Sequence, residues 1–141
     1  MALFDDRIEA QIRKRLATMR EPVTLVFFTQ ELECESCREA HQLLEELAAL
    51  SDKLRLEVYD FILDKEKVAE FGVDKVPATV IVGDSARAVR FYGVPAGYEF
   101  ASLLEDILMV SNRDSGLAVE TRAKLRELRE PLHLQVFVTP T

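Results

Sequence analysis

Tryptophan is absent from this chain, asparagine occurs once (Asn112), and there are only two cysteines. No apolar run approaches the ~20 residues a helix needs to span a bilayer, so no membrane segment is expected. There is no excess of basic residues either. Lys and Arg number 18 against 25 Asp and Glu, a net charge of −7. Phosphate contacts need a basic face, so this balance argues against nucleic acid as a partner. Residues 1–15 carry interspersed charges and lack the apolar core of a secretory signal, which places the protein in the cytoplasm. Two cysteines are too few for a disulfide framework; in a reducing compartment a close pair is more often catalytic or metal-binding than structural. Scarce asparagine beside 30% charged residues is a thermophile-like mixture.

Hydrophobic residues make up 48% of the 141, enough for one real core. Ile8, Ile12, Leu16 and Met19 recur at helical spacing, predicting an amphipathic helix over 5–19 that Pro22 ends. Residues 23–28 are almost wholly apolar and β-branched or aromatic, like a strand buried on both faces. A polar loop, 29–33, leads to Cys34. Ala40, Leu43, Leu44 and Leu47 then mark one face of a helix over 34–50. Leu54, Leu56 and Val58 alternate with charges as a half-buried strand. A short helix over 65–71 is stopped by Gly72. A strand over 79–82, a turn at 83–85 and a strand carrying Val89 and Phe91 make a hairpin, and a helix over 98–110 follows.

A βαβ unit, then a hairpin and a helix, predicts an α/β fold with a mixed central sheet and helices on both faces. Residues 111–116 read as a linker. After it come a helix over 117–128 and an alternating strand of Leu132, Leu134, Val136 and Val138. This tail repeats the head. Leu16, Met19, Arg20-Glu21-Pro22 and Leu25 match Leu125, Leu128, Arg129-Glu130-Pro131 and Leu134 at a constant offset of 109. The expected organisation is a domain over 1–112 and, over 117–141, the helix and strand that begin a second, incomplete repeat.

Cys34-Glu35-Ser36-Cys37 is a C-x-x-C motif between a buried strand and a helix. The thiolate is the nucleophile, and a helix N-terminus, with unpaired N–H groups and partial positive charge, favours it. Two intervening residues in a first turn let the sulfurs bridge. One cysteine can then attack a disulfide and the other resolve the mixed disulfide. Position assigns the attack to Cys34, at the helix start, and the resolution to Cys37, a turn inside. Glu31, Glu33 and Glu35 disfavour a nearby thiolate and Arg38 favours it, so the pair is expected to be no strong oxidant. Zinc is an alternative through Cys34, Cys37 and His41, but a structural site wants four ligands and His133 is the only other histidine. A non-catalytic peptide-binding or assembly domain is another. Tyr59, Phe61 and Phe91 read as core and His41 as helix surface.

Phe71-Gly72-Val73-Asp74-Lys75-Val76-Pro77 resembles the stretch before the cis-proline of thioredoxins. With Pro77-Ala78-Thr79 and the run from Phe91 to Phe100, nearly the whole chain resembles the tandem thioredoxin-fold, glutaredoxin-like protein disulfide oxidoreductases of thermophiles, as their N-terminal unit plus the start of the second. The resemblance implies a thioredoxin-like fold and formation, reduction or isomerisation of protein disulfides without a cofactor or metal. It also implies a cis Val76–Pro77 bond facing the cysteines, substrate contact at Val76 and Pro77, and a thioredoxin-reductase-like electron donor. The chain departs from thioredoxins in two ways, since Glu33 stands where they have Trp and no acid lies in strand 23–28 to act as base for Cys37; it departs from glutaredoxins in one, since Gly93-Val94-Pro95 replaces their glutathione-site glycines. The exposed apolar strand over 132–138 needs a partner, and a homodimer with exchanged tails supplies one.

Overall fold

The computed structural model describes residues 2–84 and 88–139. Nine elements follow in order: α1 (Asp6–Leu16), β1 (Val23–Thr29), α2 (Cys37–Ala48), β2 (Leu54–Asp60), α3 (Lys65–Phe71), β3 (Ala78–Val82), β4 (Ala88–Tyr92), α4 (Tyr98–Asn112) and α5 (Val119–Arg126). The sheet order is β2-β1-β3-β4. β1 and β2 are parallel, whereas β3 runs antiparallel to both β1 and β4. This is the expected mixed sheet, and the fold is thioredoxin-like.

Alternation along the strands divides the core. Leu25, Phe27 and Ile81 face a cluster built by Ile12 and Leu16 of α1, Ala40, Leu44 and Leu47 of α2, and Leu103, Leu104 and Ile107 of α4. Val26, Phe28, Ala78 and Val80 face the other way, toward Val68 and Phe71 of α3 and toward Tyr59. β1 is therefore buried on both faces, which is why its sequence shows no alternation. Local signals set the ends. Asp5 caps α1 by accepting the Ile8 N–H at 2.8 Å. Gly72 closes α3 at φ 63°, a left-handed backbone that suits glycine.

Three expectations need correction. α1 ends at Leu16 rather than at 19, although Met19 is still buried. α2 begins at Cys37, not Cys34: Ser36 is its N-cap, and 34–36 form the turn before it. The buried period of α2 starts at Cys37, and the Ser36 side chain makes no capping hydrogen bond. Residues 131–139 pair with no strand; Leu134, Val136, Phe137 and Val138 are more than four-fifths exposed. Alternation encodes a face but not the partner a ladder needs. α5 does form, with no buried residue. The expected turn at 83–85 lies partly outside the described residues.

Leu44 is fully buried in the larger cluster. Leu44→Ala should cost about 2–5 kcal/mol in denaturant unfolding, from lost transfer energy plus a cavity. Asp5→Ala should cost only about 1 kcal/mol, the value of one exposed cap.

Candidate active site

The chain order of β1, β2, β3 and β4 brings four loops to one end of the sheet. Thr29, the last residue of β1, lies opposite Asp60, the last of parallel β2. Antiparallel β3 enters at this same end, with Ala78 opposite Phe28, and β4 leaves from it, with Tyr92 opposite Ala78. The loop carrying the cysteines, the β2–α3 connection, Pro77 and Gly93 are thereby gathered together. Hydrogen bonds fix this end: the Phe61 N–H donates to the Thr29 carbonyl at 2.8 Å and the Gly93 N–H to the Pro77 carbonyl at 2.9 Å. Asp60 Oδ1 accepts from the N–H groups of Ile62 and Leu63, which turns the chain into α3.

Cys34 and Cys37 are joined as a disulfide, their Cα atoms 5.4 Å apart. The Cys37 N–H donates to the Cys34 carbonyl. Cys34 is half-buried, whereas Cys37 is buried at the first position of α2. Thus Cys37, not Cys34, holds the first helical position, while the expected order of burial is found. Just before the pair, Glu33 has φ 60°, a left-handed backbone that costs a non-glycine residue of order 1 kcal/mol. Glu31, Glu33, Glu35 and Arg38 are all exposed.

Val76–Pro77 is a cis peptide, with Pro77 buried and Val76 half-buried. Tyr59 and Phe61 pack on the α3-side cluster and Phe91 on the larger one, so these aromatics are core residues. His41 is less superficial than expected. Its ring lies 5.5 Å from that of Phe27, and its Nε2 is 3.2 Å from Glu45 Oε1. Phe27 sits in the interior strand on the face that α2 covers, and no carboxylate is buried among the described residues. No group of three or more His, Cys, Asp or Glu among the described residues could hold a metal ion.

The sequence pattern gives no sign of a cleft of about 440 Å³ beside the cysteine loop, lined by Gln30, Glu31, Leu32, Glu33, Asp60, Ile62 and Leu63. Leu32 and Leu63 are each about 80% exposed. Single apolar residues in polar loops have no period to reveal them; only the sheet topology brings the two loops together.

A disulfide between a part-buried and a buried cysteine at the open end of a sheet can exchange with other thiols and disulfides. The comparisons with known proteins agree. No family model matches the chain. It is 26% identical over 135 residues to an alkyl hydroperoxide reductase protein of Xanthomonas campestris pv. phaseoli, covering 96% of this chain and 23% of that protein. The solved structure of a protein disulfide oxidoreductase from Aeropyrum pernix K1 superimposes with a TM-score of 0.78 at 31% identity, over 91% of this chain and 57% of that one. The chain thus spans about a quarter of the reductase protein and a little over half of the oxidoreductase. A probable thioredoxin of Methanothermobacter thermautotrophicus is 34% identical over 74 residues, which are 52% of this chain and 82% of that protein. With that identity, this fold and a C-x-x-C disulfide, the chain belongs to the thioredoxin family of thiol–disulfide oxidoreductases.

Proposed function

We propose that Cys34 attacks polypeptide disulfides and that Cys37 resolves the product. The observation that carries this is the difference in burial: Cys34 is half-buried, whereas Cys37 is only 3% exposed. In the reducing direction, the Cys34 thiolate bonds to one substrate sulfur and the other leaves as a thiolate. Cys37 then bonds to Cys34 Sγ, the mixed disulfide breaks, and the second substrate sulfur leaves. Two electrons pass to the substrate, whose thiolates take up the protons the pair released. The disulfide between Cys34 and Cys37 is the product state.

Val76 and Pro77 lie at the same sheet end and hold an extended substrate by strand-like pairing. Leu32, Ile62 and Leu63 give its side chains an apolar surface. Glu33 and Glu35 disfavour the Cys34 thiolate and Arg38 favours it. A cytoplasmic disulfide reductase of the thioredoxin-reductase type returns two electrons to the Cys34–Cys37 disulfide. Residues from 117 onward form the start of a second unit: Leu125 and Leu128 repeat the pattern of buried Leu16 and Met19, yet are half-exposed. A second copy of the chain covers them and pairs with 132–138, giving a homodimer.

Cys37→Ser should trap mixed disulfides with oxidised protein substrates, and Cys34→Ser should trap none, by non-reducing electrophoresis. In the reduced protein, alkylation should label Cys34 first. The pH at which it is labelled should fall in Glu33→Gln and rise in Arg38→Gln. Labelling of Cys37 first would reverse the assignment. For the dimer, light scattering at micromolar concentration should give twice the chain mass, and the double variant Leu134→Asp, Val136→Asp should halve it; a wild-type monomer would rule out the exchanged tail.

A further inference from the structure

Among the described residues, only two polar side chains are fully buried: Ser111 and Thr79. Ser111 is accounted for, since its hydroxyl donates to the Glu21 carbonyl at 2.7 Å. Thr79 Oγ1 has no hydrogen-bond partner at all. Buried hydroxyls are nearly always paired, because leaving one unpaired forfeits its hydration without return. An orphan of this kind calls for a partner the protein atoms of this state do not supply: an ordered water, or a group freed in another state.

Its position says which state. Thr79 is the second residue after Pro77 and lies opposite Phe27 of β1 and Phe91 of β4. Ala78 and Val80 on either side of it face the α3 cluster, so Thr79 faces the other way, with Phe27 and Ile81. That face is covered by α4, which packs on β3, and by α2, whose Ala40 and Leu44 join the same cluster and whose His41 ring meets Phe27. Cys37 opens α2 as a buried residue on this side. The Thr79 hydroxyl is therefore buried on the face that α2 and α4 cover, opposite the Phe27 that His41 meets, and Cys37 stands one helical turn before His41. The hydroxyl lies in the layer where no carboxylate is available to assist that cysteine.

Both sulfurs are consumed in the disulfide, and a disulfide sulfur is a weak acceptor. Reduction adds two electrons, breaks the S–S bond and frees Cys37 Sγ. The sulfur then becomes a far better acceptor, most of all as a thiolate. We propose that Thr79 is a positioning residue whose hydroxyl donates to Cys37 Sγ only in the reduced protein, favouring the dithiol and holding the resolving sulfur in place. This inference rests on the redox reading of the Cys34–Cys37 pair. Its sign is fixed: the hydrogen bond exists in one state, so it makes the disulfide easier to reduce.

Thr79→Val keeps the side chain's shape and removes the donor. Titrated against glutathione at fixed pH with thiol trapping, its equilibrium constant for reduction should fall about tenfold, a potential ~30 mV more negative. Thr79→Ala should shift the same way, and Thr79→Ser, which keeps the hydroxyl, should stay within twofold of wild type. Thermal unfolding separates this from a packing role. Relative to wild type, Thr79→Val should melt lower when reduced, but no lower when oxidised, because the orphan hydroxyl is gone. A Thr79→Val constant within twofold of wild type, or equal melting shifts in both redox states, would overturn the proposal. A wild-type pair that does not titrate reversibly overturns the redox reading itself, and this inference with it.

Discussion

The pairing of β1 with β2 on one side and β3 on the other is the constraint from which the rest of the site follows. β1 runs parallel to β2 and antiparallel to β3, so its carboxyl end coincides with the start of β3. The cysteine loop leaves β1 at that point and Pro77 enters β3 there. Neither loop could hold the other without the register of Phe28 opposite Ala78. A slip of one residue would turn Phe27 and Phe28 to the wrong faces, emptying both clusters at once. Burial on both faces is thus what makes the register rigid, and the rigid register is what gathers loops far apart in sequence.

The same burial has a chemical consequence. A strand filled with Val26, Phe27 and Phe28 has no room for a buried acid beneath α2. The glutamates of the cysteine loop are all exposed, so water screens whatever field they exert on the sulfurs. Glu33 turns the chain just before Cys34 through a left-handed backbone.

Legibility in the sequence followed physical scale. The all-apolar run of β1, the alternation of β2 and the 3.6-residue period of α2 are repeated signals, and each marked its element. The C-x-x-C and the run ending at Pro77 were legible as motifs. Single-residue decisions were not. That α2 starts at Cys37, leaving Cys34 outside it, depends on one turn of backbone. That Leu32 and Leu63 share a cleft depends on two loops meeting in space. That Thr79 is orphaned depends on its neighbours across two strands. Residues 132–138 show the converse: their alternation is as clean as that of β2, yet β2 has β1 to pair with and they have no strand beside them.

The central claim is that one pair of electrons moves between Cys34–Cys37 and a protein disulfide. Electron counting tests it directly: mix the reduced chain with an oxidised protein substrate, quench with a thiol-alkylating reagent, and weigh both products by mass spectrometry. The account predicts one Cys34–Cys37 disulfide formed for each substrate disulfide lost. Substrate reduction without that disulfide, or a dithiol left intact beside an oxidised substrate, would contradict it.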